Sequence, residues 1–271
     1  MSRNLKRNLI VALILVLGIL SLVGCSNNNE EAKQEDSFEK LKEQGYITMG
    51  VDDTFAPMGF RDEKGEIVGF DIDLANEVSK RIGLDIKIQQ IDWTMKETEL
   101  NSGNIDVIWN GYSITDERKE KVAFSQPYLE NRQVIVTLAD TDINAKQDLA
   151  GKKVAAQNQS SAVEAMETEP ELVAAFDGGE PVLFDTNNEA FMDLEAKRVD
   201  AVVADEVLAK YYIKQRGAER FKILEEDFGE EEYGIGFRKQ DVKLLEAIDK
   251  ALDDMKADGT YDEICQKWFA E

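Results

Sequence analysis

Asn110-Gly111-Tyr112-Ser113-Ile114-Thr115-Asp116-Glu117-Arg118 follows a short apolar run, Ile105 to Trp109, that reads as a buried strand. The chain then turns through Gly111 into hydroxyls, acids and one arginine. A strand that ends in a turn and opens a helix leaves backbone N–H groups free, and such groups attract anions. Ser113 and Thr115 add hydroxyls, and Arg118 adds a planar fork suited to a carboxylate. Two readings follow from the stretch alone: a site for a small carboxylate, or an N-capped surface helix with a solvated arginine. The flanking sequence decides between them.

The chain has 271 residues, enough for one large domain or two modest ones with a sizeable core. Its 55 acidic against 32 basic side chains leave a formal charge of −23. That charge repels nucleic-acid phosphates, so no nucleic-acid partner is expected, and it suits a soluble monomer. The absence of histidine excludes a Ser-His-Asp triad, imidazole acid–base chemistry and histidine metal ligation. Cys25 and Cys265, the two cysteines, imply no disulfide framework. No cofactor or metal is expected.

The N-terminus reads as a targeting segment. Arg3, Lys6 and Arg7 are followed by an apolar run from Leu9 to Leu20 and then by Leu22-Val23-Gly24-Cys25. A basic start, a short apolar region and small residues before a cleavage point make a secretory signal. The run is short for a membrane span, which needs about 20 residues. Leu-Val-Gly-Cys resembles the lipobox of bacterial lipoproteins, whose cysteine is acylated and becomes the mature N-terminus. Residues 1–24 are thus expected to be a signal peptide and Cys25 a lipid anchor on the outer side of the cell membrane. Removing the signal leaves the chain more acidic still. Ser26 to Asp36 has no apolar periodicity and reads as a flexible tether, which runs with the leading helix Phe38–Gln44 to residue 43 or so.

From Tyr46 the pattern alternates between strand and helix. Tyr46–Val51 reads as a strand, residues 52–58 as a loop, and Phe60–Val68 as a hairpin turning at 62–65. Asp71 reads as the N-cap of a helix carrying Leu74, Val78 and Ile82 and ended by Gly83. The acids at 71–77 lack an EF-hand's glycine and spacing, so capping rather than calcium is expected of them. Residues 84–88 form a strand, Thr94-Met95-Lys96-Glu97 a capping box, and 105–109 a third strand. This β-α-β-α-β order implies a mostly parallel sheet with helices on both faces, with ligands beyond the carboxyl ends of its strands. The loops at 52–57, 92–94 and 110–115 lie at that edge. A second such unit follows: strands near 133–138, 153–156, 181–184 and 199–204, helices from 160 and 189, and a helix opened by Asp205. Residues 197–203 repeat the pattern of 103–108, an Asp before a buried strand. Residues 233–237 read as a strand and 240–257 as an amphipathic helix. A last helix carries Tyr261, Ile264, Trp268 and Phe269 as core anchors.

These residues together resemble the extracellular solute-binding proteins of polar amino-acid ABC transporters, bacterial solute-binding protein family 3. The resemblance runs from Gly45 to Phe269. Its marks are Asp52-x-x-Phe55-x-Pro57, Gly69-Phe70-Asp71-Ile72-Asp73-Leu74, Gly103-Asn104-Ile105-Asp106, Ile114 to Arg118, Phe124-Ser125-x-Pro127-Tyr128, Val199-Asp200-Ala201, Tyr233 to Phe237, and Lys267-Trp268. Each is weak alone; eight in order behind a lipobox are specific.

The resemblance implies an α/β fold of the type II periplasmic-binding-protein kind, with two lobes around a ligand cleft. Lobe 1 would be 44–131 plus 232–271 and lobe 2 would be 132–231, with two crossings between them. It implies that Arg118 grips a ligand α-carboxylate with the Ser113 N–H, and that Asp205 accepts the α-ammonium with the Gly111 carbonyl and Ser113 hydroxyl, beside Asn110. Phe55 and Trp93 would flank the ligand side chain, and Asp52 would read its end; a loop cap is the other reading of Asp52. Gln159 stands where glycine is common, with Ser161 still serving the carboxylate and Gln157 or Gln159 facing the ligand side chain. The function implied is capture of a free amino acid and delivery to an ABC permease and its ATPase, without catalysis. The rivals are a sensor or adhesin with the same site, and a dehydratase-like enzyme using Asp52 or Glu97 as its acid. Asp52 and Asp53 favour a cationic or amide side chain, whereas Phe55, Tyr112 and Trp93 suit an aromatic or apolar one, or cystine.

Overall fold

A computed structural model describes residues 36–270. The signal segment, Cys25 and the tether up to Glu35 lie outside the described residues. Among the described residues, no helix is long and apolar enough to cross a membrane.

The first half runs α1 (Phe38–Gln44), β1 (Tyr46–Val51), β2 (Thr54–Phe55), β3 (Gly59–Arg61), β4 (Ile67–Val68), α2 (Phe70–Ile82), β5 (Asp85–Gln90), α3 (Lys96–Asn101), β6 (Val107–Ile108), α4 (Asp116–Lys121) and β7 (Ala123–Phe124). The second runs β8 (Leu129–Leu138), β9 (Val154–Gln157), α5 (Ser161–Glu167), α6 (Pro170–Val173), β10 (Val182–Phe184), α7 (Asn187–Glu195), β11 (Ala201–Asp205), α8 (Glu206–Arg216) and β12 (Phe221–Tyr233). The chain closes with β13 (Gly236–Phe237), α9 (Val242–Asp258) and α10 (Thr260–Phe269).

Two five-stranded sheets repeat one plan. The first has the order β5-β1-β6-β13-β7 and the second β10-β9-β11-β8-β12. In each, the first three strands are parallel and the fourth runs antiparallel to both of its neighbours. In each, the first parallel strand in the chain, β1 or β9, lies between the next two. The crossover helices on its two sides must therefore cover opposite faces, and a crevice opens at its carboxyl end. The architectural echo between residues 103–108 and 197–203 is this shared plan.

Alternation explains why the central strands β6, β9 and β11 are apolar along most of their length. On β11, Val202 and Ala204 join one buried cluster while Ala201 and Val203 join another. On β6, Val107 faces α2 and α9, and Ile108 faces Leu100 and Trp93. Helix-covered strands bury both faces, so neither face can be polar.

Three local readings are corrected, and one strand is added. Asp71 does not cap α2: Gly69 is the N-cap and the Asp71 side chain is fully buried. Thr94 does not open α3. Asp92 caps a single 3₁₀ turn at Trp93–Met95 by accepting the Thr94 N–H, and α3 follows it. The strand read over 105–109 pairs regularly only at Val107–Ile108. β12 has thirteen residues that the sequence conceals behind acids. It pairs antiparallel with β8, with register breaks between Ile223 and Asp227 and between Asp227 and Glu230. As an edge strand it exposes most of its acids, which disfavours pairing with other chains, while Glu231 turns inward.

The Gly-Asn-Ile-Asp motif has a structural cause. Asp106 accepts the Thr48 N–H at 2.9 Å and pairs with Arg238 at 2.9 Å. Arg238 is buried, pairs with Asp241 at 2.6 Å, and donates to the carbonyls of Ile105 and Leu100. One guanidinium thus joins β1, the approach to β6, and the start of α9. Removing one member of a buried pair leaves the other charges uncompensated, at about 3–5 kcal/mol. Arg238→Met is accordingly expected to lower unfolding stability in urea by roughly that amount. A change within about 0.5 kcal/mol, the usual range for surface substitutions, would remove the cluster from the fold's support.

Candidate functional site

Asp52, Phe55, Trp93, Asn110, Gly111, Ser113, Arg118, Gln157, Ser161 and Asp205 are all buried, near the carboxyl edges of the two sheets, whereas the Gln159 side chain is exposed. Asp52 follows β1, Trp93 follows β5, and Asn110 to Arg118 follow β6. From the other sheet, Gln157 ends β9, Ser161 opens α5 and Asp205 ends β11. The two crevices face each other, and three groups of contacts cross between them.

The first group gathers at Asp52. Its backbone N–H donates to Asn110 Oδ1 at 2.7 Å, and its Oδ1 accepts the Thr54 N–H and hydroxyl. Its Oδ2 accepts Gln157 Nε2 at 2.8 Å from the second sheet, and Gln157 Oε1 accepts Asn187 Nδ2 at 2.9 Å. Asp52 therefore caps its own loop and also reaches across. Burial pushes its carboxyl above the usual range, against the hydrogen bonds from Thr54 and Gln157. Nearby, the Tyr212 hydroxyl donates to the Thr54 carbonyl at 2.7 Å, a second crossing.

The second group surrounds Arg118. Its guanidinium lies over the Tyr112 ring at 4.7 Å. Nη1 donates to the Ser113 carbonyl at 3.1 Å and Nη2 to the Gln159 carbonyl at 3.4 Å. Nε stands 3.1 Å from Glu164 Oε1, but off the hydrogen-bond axis, so that contact is Coulombic. Lys96, also buried, donates to the carbonyls of Trp93 and Gln159, each at 3.2 Å. Burial and the nearby Arg118 charge pull the Lys96 ammonium down to about 8. Gln159 has φ of 54°, so this glutamine keeps the left-handed backbone that glycine prefers. That conformation turns its carbonyl toward both cations.

The third group lies between Ser113 and Asp205. The hydroxyls of Ser113 and Ser161 are 2.9 Å apart across the seam. Asp205 Oδ1 accepts from Asn131 Nδ2 at 2.7 Å, Gln133 Nε2 at 3.0 Å and the Tyr233 hydroxyl at 2.7 Å. Glu231 Oε1 accepts from Asn131 at 2.7 Å, Gln133 at 2.9 Å and Ser113 at 2.8 Å. Burial, then the neighbouring Glu231 carboxyl, push Asp205 well above the usual carboxylate range.

Gly111 is required for two reasons. Its φ is +57°, and a Cβ there would stand 2.7 Å from the Phe55 ring. Its N–H donates to Asp71 Oδ2 at 2.7 Å, and the Tyr128 hydroxyl donates to the same oxygen. Trp93 stands edge-on to Tyr112, 5.8 Å between centroids. The N-terminus of α4 is capped internally by Thr115, which accepts the Arg118 N–H. Glu97 accepts the Tyr112 hydroxyl at 2.9 Å.

Lys96, Asn131, Gln133, Glu164, Tyr212 and Glu231 escaped the sequence reading. Asn131 and Gln133 had a weak signal: two amides at period two fall on one face of a strand, although Glu130 and Arg132 beside them make the whole run polar. Register then sets Asp205 opposite Gln133 and Glu231 opposite Asn131. Glu231 had no signal of its own, standing in a run of acids.

Residues 47–271 match the bacterial extracellular solute-binding proteins, family 3, and the chain belongs to that family. It is 31% identical over 269 residues to the L-cystine-binding protein TcyA of Bacillus subtilis, covering 97% of each chain. It is 32% identical to the lysine/arginine/ornithine-binding periplasmic protein of Escherichia coli, over 94% of this chain and 96% of that one. A substrate-binding protein of an ABC uptake transporter from Streptococcus pneumoniae, solved with bound histidine, superposes with a TM-score of 0.85 at 42% identity. That match covers 87% of this chain and 97% of the other. The two-lobed type II fold expected from the sequence is thereby established.

Burial raises the Asp71 carboxyl from 3.8 to about 7, against the bonds from Gly111 and Tyr128. A folded carboxyl so raised favours folding below about 3.8, and that contribution is lost as pH climbs to about 7. Asp71→Asn removes the titration. The melting temperature of the variant relative to the natural chain is expected to rise steadily between those two pH values. A constant difference across that window would show that Asp71 does not titrate there.

Proposed function

We propose that the chain captures a free amino acid between its lobes and delivers it to an ABC permease driven by a cytoplasmic ATPase. The observation that carries this reading is Asp205, a buried carboxylate whose partners Asn131, Gln133 and Tyr233 are all neutral. A buried acid without a cation is costly unless a ligand supplies one. An α-ammonium does so, and it offers three donors. Arg118, from the other lobe, takes the α-carboxylate with the Ser113 N–H and with Ser161, while the Ser113 hydroxyl and Gly111 carbonyl, beside Asn110, complete the ammonium seat. Phe55 and Trp93 flank the side chain, and Asp52 with Gln157 reads its end. A buried acid there favours a side chain that ends in hydrogen-bond donors.

Lobe 1 comprises 44–131 and 232–271, and lobe 2 comprises 132–231. The ligand favours closure because it touches both lobes at once only when they are together. The ligands named for the relatives, cystine, the basic amino acids and histidine, support the same class. Acylation at Cys25 after removal of residues 1–24 would hold the monomer at the outer face of the membrane, close to the permease.

A thermal-shift screen of the standard amino acids and cystine is expected to raise the melting temperature for one or a few of them, since a ligand that binds only the native state stabilises it. Arg118→Ala should weaken that amino acid's affinity by more than about a hundredfold in calorimetry, with the circular dichroism spectrum unchanged. Unaltered affinity would remove Arg118 from the site. Deletion of the gene should abolish uptake of the same amino acid; intact uptake would point to a sensor or adhesin.

A further inference from the structure

Glu231 sits where the proposed ammonium seat needs an acceptor, although it belongs to the strand that crosses between lobes. Its Oε1 and Asp205 Oδ1 both lie 2.7 Å from one nitrogen, Asn131 Nδ2. Both also accept from Gln133 Nε2, at 2.9 and 3.0 Å. The cause is strand register: Asp205 faces Gln133, and Glu231 faces Asn131, so β11, β8 and β12 deliver four polar groups to one point. Two carboxyls are thus held against the same two amides.

Acids outnumber cations around this pair: Glu130, Glu206, Glu230 and Glu232 line the same pocket as Glu231, together with Arg132. The Tyr233 phenol donates to Asp205. Arg118 reaches the Ser113 carbonyl and faces Glu164. Arg132, between the two amides on β8, points to the other face and pairs with Glu206 and Asp227. Lys96 is turned to the carbonyls of Trp93 and Gln159. Among the described residues, no lysine or arginine pairs with Asp205 or Glu231.

Asp205 is buried and Glu231 half-buried, and two carboxyls held against the same two amide nitrogens do not readily both ionise without a cation. We propose that Glu231 is a second ligand-binding carboxylate, which shares one proton with Asp205 until the amino-acid ammonium displaces it. The inference rests on the amino-acid reading above. The exchange balances: a carboxyl–carboxylate pair and an ammonium become two carboxylates around that ammonium, and one proton passes to water. The upward displacement of Asp205 by burial and by Glu231 agrees with this assignment. No such role follows for Asp52, whose nearest cross-seam partner is an amide.

The sign is fixed by the exchange. Binding releases a proton, so acid opposes it. Affinity is expected to be flat at alkaline pH and to fall by up to about tenfold per pH unit on the acid side of the pair's titration. The test is calorimetry of the full chain with each standard L-amino acid and L-cystine as the probe, between about pH 5 and about pH 9, a range that covers a displaced carboxyl. Repeating each titration in two buffers of different ionisation enthalpy counts the protons. The natural chain should release up to one proton per amino acid bound. Glu231→Gln should still bind at alkaline pH, with the acid midpoint moved to lower pH and proton release reduced. A merely structural Glu231 would weaken binding equally at all pH values and leave the midpoint in place, which overturns the proposal. Binding by the natural chain with no proton release also overturns it, whether or not the variant folds, and leaves the amino-acid reading intact. Failure of every probe to bind at any pH overturns both.

Discussion

The seam between the two lobes is polar, and each group removed from water there must find a partner. A buried hydrogen-bonding group without one costs about 1–3 kcal/mol, and a buried charge costs more. The described seam meets most of this demand from both sides at once, leaving Asn110 Nδ2, Arg118 Nε, Gln133 Oε1 and Ser160 Oγ without a hydrogen bond. Gln157 and Tyr212 reach from the second sheet to Asp52 and Thr54. Arg118 and Lys96 reach from the first to the Gln159 carbonyl. Ser113 meets Ser161 in the middle. The folding of each sheet serves to bring these short loops to one level, which the repeated strand order achieves by placing β1 and β9 at the centre of each crevice.

The pattern of strands and helices was legible because both sheets are covered on both faces. Their central strands are apolar runs, and the loops between them are marked by Gly111 and by caps such as Thr115. The turn at residues 110–118 was legible for the same reason: Gly111 must be glycine, and Arg118 is the one arginine beside it. What stayed hidden depends on register. Asp71 looks like a helix cap in sequence, since an acid at the start of a helix usually is one. It is instead a buried acceptor for Gly111, forty residues later in the chain. Glu231 looks like surface in a run of acids. Only its pairing with Asn131 turns it inward, and β12 was itself concealed because charge masks strand propensity. Pairwise register cannot be read from one strand at a time.

Lys96 and Glu97 illustrate a third kind of loss. On a short helix their alternation with Thr98 and Glu99 suggests exposure. Lys96 is instead buried against Trp93, with its ammonium 5.0 Å from the ring centroid. Glu97 receives the Tyr112 hydroxyl and lies 3.5 Å from the Lys96 ammonium. The pair lets Tyr112 and Trp93 meet edge to face without leaving the phenol unpaired. A polar network here replaces what an apolar helix face would do by packing, and it holds the aromatic wall in one orientation.

Gln159 shows how the balance at the seam is struck. A side chain in the left-handed region costs roughly 1–2 kcal/mol relative to the right-handed one. Hydrogen bonds to charged groups contribute about 1.5–3 kcal/mol each when well formed, and less at the 3.2 and 3.4 Å seen here. Two such bonds offset the backbone cost with little to spare. A small surplus is what a reversible seam requires, because groups that pair across it return to water when it opens and lose little by doing so. An apolar seam would behave differently. At about 25 cal/mol per Å², a few hundred Å² of apolar contact would add several kcal/mol to the closed form alone. The lobes would then close on nothing. On the proposed reading, a polar seam with near-balanced terms leaves the decision to the ligand's own charges, which suits ions and amides rather than leucines.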